Sequence, residues 1–296
     1  MTDVGFIGLG VMGGAMARNV LKHGYRLRAL DLDRRALDAL VAQGASAAGT
    51  PRDVAAASDV VITSLPDAPD VLAVALGPEG IVAGIRPGAI YIDMSTIDPA
   101  TTRKVGAAIA ARGAHMIDCP VGKTAEHAVA GTLTLMCGGP ADVVARARPI
   151  LDCMGTDFFH CGGLGMGQAM KLANNLLATI LMEANAEALV AGVKAGLTLE
   201  VMTGVMKTTM AWNNQLAIAM HARALKGDFE PGFTLSLAHK DCRLAVKMND
   251  DMGLPAPLGR ALLEALEEGL ASGAGGKDVG VLLKLREQEA GVEVRT

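Results

Sequence analysis

A short apolar run over residues 4–8 leads into Gly8-Leu9-Gly10-Val11-Met12-Gly13, and this spacing, G-x-G-x-x-G, constrains the fold more than any other feature of the chain. An amphipathic segment follows to His23 and is closed by Gly24. A second strand-like run over 26–31 then ends in an acid, Asp31. Strand, tight turn, helix and strand together fill roughly thirty residues, the length of a βαβ crossover. With 36 glycines in 296 residues the glycine pattern alone is weak, and its flanking strand and helix are what make it specific. The first glycine permits the turn, the second lets backbone approach a pyrophosphate, and the third lets helix and strand pack closely. The helix N-terminus then offers free N–H groups and partial positive charge to phosphates. Asp31, 23 residues after Gly8, stands where a carboxylate accepts hydrogen bonds from the adenosine ribose hydroxyls and repels a 2′-phosphate. The expected cofactor is NAD rather than NADP. Asp33 adds negative charge nearby, and Arg34 and Arg35 offset it.

Short apolar strands continue to alternate with helical segments. Residues 60–64, 89–93, 114–118 and 133–137 read as strands, and 99–112 and 141–154 as helices. This order predicts a doubly wound parallel sheet. After Gly167 the pattern changes. From about 168 to 195 the chain has no proline and a single interior glycine, Gly192, which predicts one long apolar helix buried between partners. Helical periods follow over 199–208, 212–226, 235–252, 258–269 and 279–285, with no convincing strand. The expected organisation is an α/β dinucleotide domain over 1–162 and an all-α substrate and oligomerisation domain over 163–296, joined by the long helix.

Composition excludes several classes. The net charge is −4, aromatics make up 3%, and no Lys/Arg run forms a patch, so nucleic-acid binding is not expected. The five cysteines are odd in number and form no CxxC, which predicts reduced thiols in a cytoplasmic protein. Residues 4–10 run into a glycine turn and not into a signal-peptide cleavage site, and no apolar stretch of about 18 residues is free of charge or glycine, so no membrane span is expected. The histidines and acids show no metal-ligand spacing.

Candidate site residues cluster at strand ends and on the long helix. Leu65-Pro66 and Ser95-Thr96 each follow a strand, outside the carboxyl ends where such sheets bind ligands. Ser95-Thr96 could equally cap the helix that begins at Pro99. Gly122, Lys123 and Thr124 follow another strand, where glycine admits a ligand to backbone and Lys123 with Thr124 could hold an anion. A turn with a solvent lysine is the alternative. Lys171, Asn174 and Asn175 share one face of the long helix by their i+3 and i+4 spacing. A lysine in an apolar helix either snorkels to water or serves chemistry. Desolvation that lowers its pKa would let it take and return an alcohol proton. Lys240, in a later helix, either approaches a nicotinamide or is a surface lysine beside its acid, Asp241.

Taken together, Val4 to Gly13 with Met16-Ala17-Arg18-Asn19, then Gly131-Thr132-Leu133, then Gly165-x-Gly167-x-x-x-Lys171-x-x-Asn174-Asn175, then Ala238-His239-Lys240-Asp241 resemble the ordered blocks of the β-hydroxyacid dehydrogenase family. The resemblance spans essentially the whole chain. It implies a Rossmann domain, a helical domain, and homodimers or homotetramers built through the latter. It implies hydride transfer between NAD(H) and a short anionic 3-hydroxy acid or its semialdehyde, with Lys171 as acid/base, Asn175 as substrate ligand and Lys240 near the cofactor. One segment departs from the common Ser-Gly-Gly after Pro-Val. Gly122-Lys123-Thr124 is similar to the Gly-Arg-Thr of the sulfolactaldehyde reductase branch, although lysine lacks the arginine fork. A 3-sulfolactaldehyde or 2,3-dihydroxypropanesulfonate-like substrate is thereby implied, with a carboxylate of the 3-hydroxyisobutyrate or tartronate semialdehyde type as the alternative. Imine reductases share the architecture and usually lack the helix lysine, and 6-phosphogluconate dehydrogenases have a longer helical domain. A non-catalytic dinucleotide-binding module is the competing reading of another class.

Overall fold

The computed structural model describes residues 2–296. It forms two compact units, one ending at Lys171 and the other running Leu172–Thr296. The first begins with β1 (Asp3–Ile7), α1 (Val11–Lys22), β2 (Arg26–Leu30), α2 (Arg34–Val41), β3 (Ser46–Ala47), α3 (Pro51–Ala56) and β4 (Val60–Thr63). It continues with α4 (Ala68–Leu76), α5 (Ile81–Gly84), β5 (Ile90–Asp93), α6 (Pro99–Ala110) and β6 (His115–Asp118). The last part holds β7 (Val121–Gly122), α7 (Ala125–Ala130), β8 (Leu133–Gly138), α8 (Ala141–Leu151), β9 (Gly155–Gly162) and the start of α9 (Met166–Lys194).

Strands β3-β2-β1-β4-β5-β6 are parallel neighbours in that order. The order reverses between β1 and β4, which makes the carboxyl ends of those strands the ligand crevice of a Rossmann sheet. Strand side chains alternate between faces. Val4, Phe6, Val60, Ile62, Ile90 and Ile92 pack with α1 and α8 residues on one face. Ile7, Val61 and Tyr91 pack with residues of α3 and α6 on the other. Both faces are buried, which is why these strands read as continuous apolar runs.

The expectation of a wholly parallel sheet needs one amendment. Beyond β6 the sheet continues through β8, which runs antiparallel to β6 and β7, while β9 pairs parallel to β8. The six-residue α7 between β7 and β8 is too short to lay a crossover over the sheet, so the chain returns antiparallel. β9 alternates poorly, with a single buried position, and so carried no apolar period to read.

The second unit contains the rest of α9, then α10 (Leu199–Lys207), α11 (Leu235–Asp251), α12 (Pro257–Ala271) and α13 (Val281–Ala290). No strand forms there among the described residues beyond a single bridge between Thr234 and Asp278. The helix expected over 212–226 forms over 214–222, with π-helical geometry at Gln215–Met220, and is followed by a separate 3-10 turn, Ala224–Lys226. Asn213 explains the change: its Oδ1 accepts from Leu216 N at 3.1 Å, and its amide pairs reciprocally with Asn185. His221 Nδ1 then bonds the Leu216 carbonyl at 2.8 Å, within the widened turn. By length and composition α9 could cross a membrane. Its Met182, Ala186, Leu189 and Val190 are instead buried with Leu216, Leu235, Leu266 and Leu282, as in the core helix of a globular unit.

Candidate active-site elements

The glycine turn is tight for two measurable reasons. A Cβ on Gly8, whose φ is +93°, would stand 2.2 Å from Ser64 O, and one on Gly13 would stand 2.0 Å from Gly8 O. At Gly10 the opposite holds: a Cβ would meet nothing within 4 Å. Gly10 is the N-cap of α1, no side chain caps it, and no acid lies in the first turn. The first-turn N–H groups of Val11 and Met12 are therefore open to an anion. Beside this opening, at the end of β2, Asp31 accepts from Leu9 N and, at 2.6 Å, from Asp33 N. Two of the neighbouring charges are engaged elsewhere. Asp33 caps α2 through Arg35 N, and Arg34 pairs with Asp38 on the surface. An uncapped amide cradle with a carboxylate at its edge fits NAD.

The ends of β4 and β5 are tied together. Ser95 is buried, and its Oγ accepts from Leu65 N at 2.9 Å; Leu65 and Thr96 are half-buried and Pro66 is exposed. Ser95 and Thr96 do not cap α6. Asp98 does, accepting from Thr101 N at 3.0 Å and from Thr101 Oγ1 at 2.7 Å.

In the Gly122-Lys123-Thr124 segment, Lys123 has φ +76°, the one positive φ among described non-glycine residues. Its ammonium is not directed to open solvent. Nζ donates to Asp157 Oδ2 at 2.6 Å and to Thr132 O at 2.8 Å, closing the loop that carries α7 against β9. Thr124 Oγ1 meets His127 Nδ1 at 2.8 Å. The buried Asn19 of α1 donates to Ala128 O at 2.7 Å, so the phosphate-turn helix also holds α7.

Two residues that sequence reasoning left without a role organise the start of α9. Asp118, fully buried at the end of β6, accepts from Gly165 N at 2.7 Å and Gln168 N at 2.8 Å. Burial pushes its carboxyl up to about 6; the two N–H bonds oppose that shift and nearby Asp93 adds to it. Gln168, also fully buried, donates from Nε2 to Ser95 O at 2.8 Å and accepts at Oε1 from Ile97 N at 3.1 Å. Lys171 follows on the same helix and is half-buried. A buried acid closing a strand and a glutamine between Gly167 and an apolar run were the available signals.

In the second unit Asn174 is exposed and donates to Asn175 Oδ1 at 3.1 Å. Asn175 donates to Asp241 Oδ2 at 2.6 Å. Lys240, with 13% of its side chain exposed, lies 3.1 Å from Asp241 Oδ1. It stands beside its acid, as the alternative reading has it, but is largely withdrawn from solvent. Asp241 fixes both, and only its place beside Lys240 marked it in the sequence.

Residues 3–163 match the family described as the NAD binding domain of 6-phosphogluconate dehydrogenase. Residues 165–286 match the family described as NAD-binding of NADP-dependent 3-hydroxyisobutyrate dehydrogenase. The chain is 39% identical over 291 residues to the 2-(hydroxymethyl)glutarate dehydrogenase of Eubacterium barkeri, covering 98% of this chain and 97% of that one. It is 38% identical over 295 residues to the 3-sulfolactaldehyde reductase of Escherichia coli (strain K12), covering 100% and 99%. Among solved structures it superposes on a Mycobacterium tuberculosis 3-hydroxyisobutyrate dehydrogenase with L-serine, at a TM-score of 0.89 and 31% identity, over 96% of this chain and 99% of that one.

Proposed function

This chain belongs to the β-hydroxyacid dehydrogenase family, and from that premise we propose that it transfers a hydride between NAD(H) and a short anionic 3-hydroxy acid or its semialdehyde, with Lys171 as the proton-transfer group. It is an NAD-dependent oxidoreductase acting on a CH–OH group. The observation that carries the reading is the open cradle at Gly10 with Asp31 at its rim, in a chain whose α9 presents Lys171 one turn past a fully buried anchor. Under this reading residues 1–162 form the dinucleotide domain and 163–296 the helical substrate and oligomerisation domain, consistent with family matches that meet between 163 and 165.

Residues 8–13 hold the pyrophosphate through backbone N–H groups, and Asp31 holds the adenosine ribose. Leu65, Pro66, Ser95 and Thr96 line the nicotinamide side, and the family resemblance assigns Lys240 to the cofactor as well. When bound, NAD supplies the hydride acceptor. The neutral Lys171 amine accepts the proton of the substrate hydroxyl at Nζ as the hydride leaves carbon, and in reduction its ammonium returns that proton to the forming alkoxide. Asn174 and Asn175 orient the hydroxyl and the anion by hydrogen bonds, with the Asn175 amide held in place by its bond to Asp241 Oδ2 and by the one it accepts from Asn174. Gly122, Lys123 and Thr124 receive the remaining charge of the substrate.

A three-carbon sulfonate, 2,3-dihydroxypropanesulfonate, is the first substrate to test. A carboxylate is the alternative, and either anion must compete for the Lys123 ammonium, which Asp157 and Thr132 O occupy. The test is NADH formation from NAD with 2,3-dihydroxypropanesulfonate, 3-hydroxyisobutyrate, 2-(hydroxymethyl)glutarate and L-serine. Turnover is expected for at least one of them, with kcat/KM ranking sulfonate against carboxylates. Tight NADH binding with no turnover on any of them would instead mark a binding module.

A further inference from the structure

The strand ends and the first turn of α9 lie in the same unit as the glycine turn, and a buried polar network joins the strand ends to that helix turn. Its links are Leu65 N to Ser95 Oγ, Gln168 Nε2 to Ser95 O, Ile97 N to Gln168 Oε1, and Gln168 N to Asp118 Oδ2. Asp93 Oδ1 accepts from Ser95 N at 3.1 Å and from Thr63 Oγ1 at 2.8 Å, and Thr63 Oγ1 meets Tyr91 OH at 2.8 Å. Every side chain in this chain of contacts is buried. The backbone leaves no slack around it. A Cβ on Gly167 would stand 2.2 Å from Met136 O and 2.8 Å from Asp118 Oδ2. A helix of 29 residues whose first turn sits this closely on a carboxylate has its rotation and axial position set there.

We infer that Gln168, with Asp118 beneath it, is a positioning residue that sets the place of Lys171 relative to the loops at Leu65 and Ser95. The inference rests on the acid/base reading of Lys171. Both polar atoms of the Gln168 amide are spent on the β5–α6 loop, one donating and one accepting, so the side chain cannot flip without losing both bonds. Its own N–H is spent on Asp118. Lys171 lies three residues further along the same helix, about 4.5 Å along the axis, so a small rotation of the first turn displaces its amine directly. A displacement of about 1 Å at a reacting group can cost two orders of magnitude in rate while leaving cofactor contacts intact.

The experiment compares Gln168→Met, Gln168→Glu and Lys171→Ala with the wild-type enzyme, measuring NADH dissociation constants by fluorescence, kcat and KM in steady state, and the pH profile of kcat. Gln168→Met keeps the volume and removes both amide bonds. It is expected to lower kcat about 10- to 100-fold, with the NADH dissociation constant unchanged within about threefold. The pH limb governed by Lys171 is expected to move with it. Gln168→Glu keeps the acceptor for Ile97 N and is expected to fall between the wild type and Gln168→Met. It also provides the reading if Gln168→Met fails to fold. Three results overturn the inference: wild-type kcat in the Gln168 variants, a parallel loss of NADH binding by the same factor, or an unmoved pH limb. Full activity of Lys171→Ala overturns the acid/base reading itself, which separates the two failures.

Discussion

At Gly8 a single methyl group would stand 2.2 Å from the Ser64 carbonyl oxygen, on a backbone whose φ of +93° already disfavours any side chain. Gly8→Ala is therefore expected to cost about 1–3 kcal/mol in backbone strain alone and to weaken NADH binding, read by thermal melting with and without NADH. Asp118 makes a different demand. Its carboxyl lies at about 6 in the fold against 3.8 for an unperturbed group, chiefly through burial. The titratable groups around it are Asp93 on β5, Cys119 beyond β6 and Cys161 on β9. A group whose folded pKa is raised binds its proton more tightly in the fold. Its contribution to stability is complete below the unfolded value and is lost as pH rises through the folded one. Between about pH 4 and pH 6 the wild-type unfolding free energy should fall by about 2 kcal/mol relative to Asp118→Asn. Urea titrations of both proteins across that range check this, and parallel curves would contradict it.

Element by element, what the sequence made legible follows from period and punctuation. The parallel strands were readable because both faces of the sheet are buried, so Val60–Thr63 and Ile90–Asp93 carry no charged residue before their last position. The long helix was readable because nothing in it breaks a helix. The stretch Gln215–Met220 was not, because its departure from α-helical geometry comes from a tertiary pair. Asn213 and Asn185 exchange amide bonds at 2.9 and 3.0 Å across 28 residues of sequence. Asn213→Ala should cost about 1–3 kcal/mol by stranding Asn185 and the Leu216 N–H, seen as a lower urea midpoint at unchanged slope. The site shows the same division. The glycine turn, Asp31, Lys171 and Asn175 announce themselves by local spacing. Asp118 and Gln168 do not, because their partners lie 47 to 73 residues away in sequence. Lys123 was legible as a charge and not as a pair, since Asp157 stands on a strand that carries no apolar period.

For the molecule as a whole, the helical unit leaves Leu177, Val201, Val205 and Ile218 more than half exposed. Apolar residues so exposed fit assembly into a homodimer or homotetramer through that unit. Light scattering on the purified protein should give a mass above the 30.4 kDa of one chain, and Val201→Lys with Val205→Lys should reduce it. The activity itself is tested most directly by single-turnover hydride transfer. Wild-type and Lys171→Ala enzymes are saturated with NAD and mixed with the best hydroxy acid of the panel, and the nicotinamide absorbance is followed. The variant should bind NADH as the wild type does and transfer hydride about 10²–10⁴-fold more slowly. Transfer at the wild-type rate by the variant would contradict the assignment of the proton to Lys171.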